Sequence, residues 1–154
     1  MTNRWGLIVV AVAAIFLLGE SDAAAQASCS ISVTSVAFGS YNVFNTSALD
    51  SSGSITYNCN NQANHISISL GKGSSSTFGA RSMTKGGETL SYNLFIDAAR
   101  TSIWGDGTSG TAVYTRSNPP NNSDVNLPIF GRITAAQDVS AGNYSDTVLA
   151  TINF

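Results

Sequence analysis

The last eleven residues of the chain limit its fold more than any other stretch. Tyr144–Phe154 reads YSDTVLATINF. Tyr144, Val148, Ala150, Ile152 and Phe154 share one parity, on which Asp146 is the only polar residue. Ser145, Thr147, Thr151 and Asn153 take the other, on which only Leu149 is apolar. Period-two alternation of this length predicts a half-buried β-strand, about 35 Å long if fully extended. Gly142-Asn143 supplies a turn before it. Something must cover Val148, Ile152 and Phe154. Two arrangements do so: the final strand of a closed sandwich, or a strand whose partner comes from another chain.

The opposite end of the chain reads as an export signal. Arg4 gives a positive start, Trp5 to Leu18 is an unbroken run of apolar residues and Gly, and Ala25-Gln26-Ala27 fits an A-x-A cleavage site before Ser28. Residues 1–27 are therefore expected to be a signal peptide and residues 28–154 one mature domain with one core. A retained N-terminal anchor is the alternative. After residue 27, six basic and seven acidic side chains remain, a net charge of −1 with His65 neutral. Without a basic patch or charge run, no nucleic-acid partner is expected. Ser, Thr, Asn and Gly dominate the surface instead, as suits strands and turns of an exported all-β protein.

Export also bears on the two cysteines. Cys29 and Cys59 are both in the mature part, neither in a C-x-x-C. An even count in an oxidising compartment predicts a disulfide, and only one intramolecular pairing exists. Closing that loop should stabilise the fold by about 3–4 kcal/mol.

Between these landmarks, alternation predicts strands over Ser30–Val36, Ser54–Cys59, His65–Leu70, Leu90–Ile96, Thr111–Arg116 and Val125–Ile133, ahead of the terminal one. In the first, Cys29, Ile31 and Val33 share a parity and Val36 and Phe38 take the other, which predicts a bulge or kink near Ser35. Gly39–Ser54 reads as a Ser/Asn-rich connection anchored by Val43 and Phe44, and Gly86-Gly87 as a turn. No helical apolar period persists after the signal. About seven strands separated by Gly/Asn/Ser turns predict an antiparallel β-sandwich.

Catalytic patterns do not emerge. A Ser-His-Asp triad would have to use His65, and no G-x-S-x-G elbow is present. The aspartates are scattered, without a glycosidase pair. Trp104-Gly105-Asp106-Gly107 lacks the ladder of a calcium loop and reads as a tight turn, with Trp104 packed on the sandwich and Asp106 capping local N–H groups. No enzyme activity, cofactor or metal is expected.

Four turn-bound clusters are not explained by a core alone: Tyr92-Asn93-Leu94-Phe95-Ile96-Asp97, Trp104-Gly105-Asp106-Gly107 with Gly110-Thr111, Phe130-Gly131-Arg132-Ile133, and Gly142-Asn143-Tyr144-Ser145-Asp146-Thr147. In their order, with the two cysteines and the terminal strand, they resemble the spore coat protein U domain family, which includes subunits of archaic, Csu-type chaperone–usher pili. The resemblance runs from Cys29 to Phe154. It implies an incomplete immunoglobulin-like sandwich lacking one strand, filled by a periplasmic chaperone in transit and by the next subunit in a fibre. Assembly then proceeds by strand addition at an outer-membrane usher. It implies groove rims at Ile31 and Val33 on the first strand and at Val148, Ala150, Ile152 and Phe154 on the last. It also implies other pilus or coat subunits as partners and a final place at the cell surface or in a spore coat. Such subunits carry a donor segment before the first cysteine. Cleavage after Ala25 or Ala27 leaves almost none before Cys29, so the expectation is an acceptor that does not donate, as at a fibre tip. A self-complemented fold is an alternative. The competing reading is a tip adhesin or carbohydrate-binding module, with Trp104, Tyr114, Phe44 and the Ser117–Asp124 loop as its contact surface.

Overall fold

The structure, a computed structural model, describes residues 26–60 and 63–154. The expected signal segment falls almost wholly outside the described residues. Those described form eight strands and no helix: β1 (Ser28–Thr34), β2 (Leu49–Asn60), β3 (His65–Leu70), β4 (Arg81–Lys85), β5 (Glu88–Phe95), β6 (Tyr114–Ser117), β7 (Val125–Ile133) and β8 (Ala150–Asn153). Every ladder is antiparallel. One sheet runs β1-β2-β7-β5-β4, the other β6-β3-β8. The all-β sandwich is of the expected class.

Alternation decides which face is buried. Ile55, Tyr57 and Cys59 of β2, Ile66, Ile68 and Leu70 of β3, Leu90, Tyr92 and Leu94 of β5, and Ile129 and Ile133 of β7 turn inward and form one core. β3 and β7 have the predicted bounds. β2 begins earlier than expected, at Leu49, because Asp50 and Ser52 sit on its solvent face opposite Arg132 and Phe130 of β7. β4 lies in a stretch not read as a strand. It forms a hairpin with β5 through Gly86-Gly87, with Gly86 at φ 60°, and its inward position at the start is an arginine, which hides the apolar period.

Cys29 lies directly opposite Cys59 in the β1–β2 ladder and the two are joined by a disulfide. The bond ties the outermost strand of the larger sheet to the core.

Arg81 and Trp104 link the two sheets, and both are fully buried. Arg81 donates from Nε (3.0 Å) and Nη2 (2.7 Å) to the Gly71 carbonyl, from Nη2 to the Trp104 carbonyl (2.7 Å), and from Nη1 to Asn93 Oδ1 (2.8 Å). Trp104 Nε1–H donates to the Ile68 carbonyl of β3 at 2.9 Å. Loop backbone that would otherwise be buried without partners is thereby satisfied. Burial pushes the Arg81 guanidinium below its ordinary value, against the pull of Tyr92 and Asp146. This placement agrees with the tight-turn reading in which Trp104 packs on the sandwich, and it removes Trp104 from the contact surface of the competing reading. Its indole fills the interior, and its one polar atom is occupied by β3. Tyr114, by contrast, is half-buried on the edge strand β6, its ring 6.0 Å from that of Tyr57. Phe44 is 89% exposed.

Candidate functional site

The kink expected near Ser35 takes the chain off the larger sheet. β1 ends at Thr34, and the next residues lie over the inner face of β2 and β7. Two glycines make room for them. Gly53 and Gly131 share the inward parity of Ile55 and Ile129. A Cβ on Gly53 would collide with the Thr34 carbonyl oxygen and approach Ser35 C to 3.0 Å; one on Gly131 would meet Phe38 Cζ and Val36 Cγ1 at 2.7 Å. The Phe38 ring packs edge-on against Tyr92, centroids 5.9 Å apart. Ser51 Oγ donates to the Ala37 carbonyl at 2.5 Å, and the Tyr41 hydroxyl donates to the Thr134 carbonyl at 3.1 Å. Residues 33–43 thus form one wall, with Val36, Phe38, Tyr41 and Val43 half-buried.

The terminal segment forms the facing wall. Its alternation is present: Tyr144, Asp146, Val148, Ala150 and Ile152 are half-buried, and the residues between them are exposed, Leu149 at 72%. The uninterrupted strand predicted over Tyr144–Phe154 is not present. Only Ala150–Asn153 is in a ladder, and among the described strands it pairs with β3 alone. Upstream, the wall is held at isolated points. Ser145 and Thr84 exchange backbone hydrogen bonds (2.9 and 3.2 Å), and Gly71 N–H donates to the Leu149 carbonyl at 2.8 Å. On its second side no described strand is hydrogen-bonded to it, although β1 comes near, so its alternating residues stay half-covered.

Between the walls lies a groove of about 830 Å³, floored by Leu70, Leu90, Tyr92, Leu94, Ile129 and Ile133. Of the six rim residues expected from sequence, Val33, Val148 and Ala150 line it. Ile31 and Ile152 pack against the core without lining the groove, and Phe154 is 56% exposed at the chain end. Val36, Phe38, Tyr41 and Val43 were not among the expected rim residues. The parity change at Ser35 was the signal that could have found them.

One charged side chain faces the groove. Asp146 Oδ1 accepts from Ser74 N–H (2.9 Å), Ser74 Oγ (2.5 Å) and Thr147 N–H (2.8 Å), and Oδ2 accepts from the Tyr92 hydroxyl (2.7 Å). Burial works to raise this carboxyl, but the hydrogen bonds from Ser74, Tyr92 and Thr147 outweigh it and hold it below its ordinary value of 3.8. Burial and the Asp146 partner together push the Tyr92 phenol far above its ordinary range. A depressed carboxylate means that the unfolded chain binds more protons in acid than the folded one. The contribution of Asp146 is therefore complete above about pH 4 and lost as pH falls through the folded-state value. Urea midpoints measured from pH 6 down to pH 2 should decline less steeply in Asp146→Asn than in the parent; parallel declines would remove Asp146 from this role.

Gly53 tests the first wall. Valine there must displace the Thr34 carbonyl, which is backbone and cannot rotate away. The expected cost is about 2–3 kcal/mol, read from the urea midpoint, with faster amide exchange over residues 34–38. Unchanged exchange in that segment would show that the wall does not rest on Gly53.

The chain was compared with known proteins. A family model described as Spore Coat Protein U domain matches residues 15–151. Protein U of Myxococcus xanthus is 39% identical over 66 residues, 42% of this chain and 34% of that protein. The chain thus spans about a third of the length of that curated relative. Among solved structures, the CsuC–CsuE chaperone–tip adhesion subunit pre-assembly complex, from the archaic chaperone–usher Csu pili of Acinetobacter baumannii, has a similar fold. Its TM-score is 0.61 at 22% identity, over 84% of this chain and 40% of that one. The family model covers nearly all of the sandwich, including both groove walls: the chain belongs to the Spore Coat Protein U domain family.

Proposed function

We propose that this protein is a non-enzymatic, exported structural subunit of a surface fibre or coat, whose groove accepts a β-strand from another chain. The observation that carries this reading is a groove with an apolar floor beside a terminal strand to which, on one side, no described strand is hydrogen-bonded. A strand laid between residues 33–43 and 144–150 would add main-chain hydrogen bonds to the unpaired backbone, and its alternate side chains would cover the floor. Each large apolar side chain buried this way contributes about 1.5–3 kcal/mol, a large share of the stability of a domain this size. The solved complex of similar fold, a chaperone bound to a pilus subunit, supports the same partners here: a periplasmic chaperone first, then another subunit at an outer-membrane usher. The route is export to the periplasm and on to the cell surface.

Co-expression tests it. The mature protein should accumulate as a soluble one-to-one complex with its periplasmic chaperone, and unfold at low temperature or aggregate when that chaperone is absent. A monomer that is stable alone, with reversible unfolding at high temperature, would mean that the groove needs no occupant. N-terminal sequencing of the exported protein settles a separate question. A start at Ser28 makes the chain an acceptor only, fit for a terminal position; a start well upstream provides a donor segment.

A further inference from the structure

An empty groove with an apolar floor tends to close on itself, because drawing its walls together takes apolar surface out of water. Backbone pairing does little to oppose this. Among the described residues, neither 36–41 nor 135–143 makes a backbone–backbone hydrogen bond. Side chains hold both segments instead. Ser51 fixes the first wall at the Ala37 carbonyl. Beyond that point, the Tyr41 hydroxyl reaches the connection that leads into the second wall. It donates to the Thr134 carbonyl at 3.1 Å and accepts from Gln137 N–H at 2.8 Å. Gln137 in turn grips β5. Its Oε1 accepts from Ser91 N–H at 2.7 Å and its Nε2 donates to the Ser91 carbonyl at 2.8 Å, one bond each way, as the backbone of a neighbouring strand would make. β5 is a firm post, since β4 and β7 pair with it on either side. Ala136, next to Gln137, has φ 58°, a conformation disfavoured for a residue with a Cβ. Such backbone persists where its surroundings fix it. Farther along the connection, Lys85 Nζ donates to Ser140 Oγ (2.6 Å) and to the Ala141 carbonyl (2.7 Å), and Glu88 accepts from the Ser140 and Tyr144 hydroxyls. Tyr41, Ser140, Ala141 and Tyr144 all line the groove.

We propose that Tyr41 and Gln137 are positioning residues that brace the groove open for an incoming strand. This deepens the groove reading and rests on it. The bracket runs from the first wall through the Tyr41 hydroxyl and the Gln137 amide to β5, and it sets the distance between wall and floor. Without it, residues 39–43 settle on the apolar floor. A strand then binds only the fraction of molecules whose groove is open, and its apparent affinity falls in proportion to that fraction. The contribution of the bracket is preorganisation, supplied before any occupant arrives.

Tyr41→Phe tests this while keeping the ring, and Gln137→Ala removes both bonds to Ser91. Purified exported protein is titrated into a fluorescein-labelled peptide of alternating leucine and threonine, with binding read by anisotropy. The empty protein is probed with anilinonaphthalene sulfonate, whose fluorescence reports exposed apolar surface. Each substitution should weaken peptide binding by about tenfold, as an open fraction of about one tenth requires. Each should also dim the dye signal of the empty protein, because the floor is covered. Asp138→Ala, at an exposed side chain of the same connection, should change neither. Unchanged affinity overturns the proposal. So does weaker affinity with a brighter dye signal, since that pattern means loosened packing and not a closed groove. If Gln137→Ala does not fold, Tyr41→Phe decides alone. Failure of the unaltered protein to bind the peptide sinks the groove reading together with this inference.

Discussion

Arg81→Met is expected to destabilise the protein by about 4–5 kcal/mol, because each buried acceptor left without its donor costs about 1–3 kcal/mol. The guanidinium serves three acceptors: the Gly71 carbonyl, the Trp104 carbonyl and Asn93 Oδ1. Methionine fills much of the same volume and removes the cost of burying a charge, which keeps the net loss below the full sum of the three. Gly71 follows β3, Trp104 itself bridges Ala112, and Arg81 opens β4, so the loss falls where the two sheets are joined. The Arg81 ring contact, its carbon 5.4 Å from the Phe78 centroid, goes with it. Against a total of about 5–15 kcal/mol, a large fraction of the folded population should disappear at moderate urea. Urea titration followed by Trp fluorescence measures the change directly, since Trp104 lies inside the network. A loss under about 1 kcal/mol, no more than a typical single hydrogen bond, would show that water replaces the guanidinium. Arg81→Lys should fall between, because an ammonium cannot reproduce the fork.

The second large effect concerns the disulfide. Cys29→Ala/Cys59→Ala should lower stability by about 3–4 kcal/mol, from the chain-entropy gain of an opened loop with a sequence separation of 30. The consequence reaches the groove. β1 is an edge strand of its sheet and, among the described strands, pairs with β2 alone, and the first wall continues directly from its end. With the bond gone, β1 keeps its ladder and the packing of Ile31 on the core, so its amides should exchange faster than those of β2 and β7. The loss should appear as a shift of the urea midpoint with an unchanged slope. A midpoint equal to that of the oxidised protein would mean that the β1–β2 ladder alone fixes the strand.

Most strands were legible because their inward residues are apolar and their outward ones polar. β7 shows this best: Ile129, Gly131 and Ile133 turn inward, and its bounds came out as read. The disulfide was legible from counting two cysteines in a chain whose sequence reads as exported. β4 was not, because its inward residue is Arg81, and an arginine looks like surface until its acceptors are known. Trp104 is the reverse case. An aromatic in a Gly-rich turn reads first as packed on the sandwich, with an exposed contact as the competing reading, and the Ile68 carbonyl at 2.9 Å decides. The groove was half legible. Parity turned Val148 and Ala150 inward and the family resemblance implied that they were rims, but the opposite wall depends on Thr34–Phe38 passing over Gly53 and Gly131, residues far apart in sequence.

By itself, the sequence determined the alternation of Tyr144–Phe154: which side chains face in, which face out, and that Asp146 is the polar exception. Period two is a local property of extended backbone and needs no partner to be read. Only the tertiary structure decided that this segment is a groove wall with a ladder at Ala150–Asn153. Pairing is a long-range event, set by which other backbone arrives beside the strand, and on one side of β8 none of the described strands is hydrogen-bonded to it.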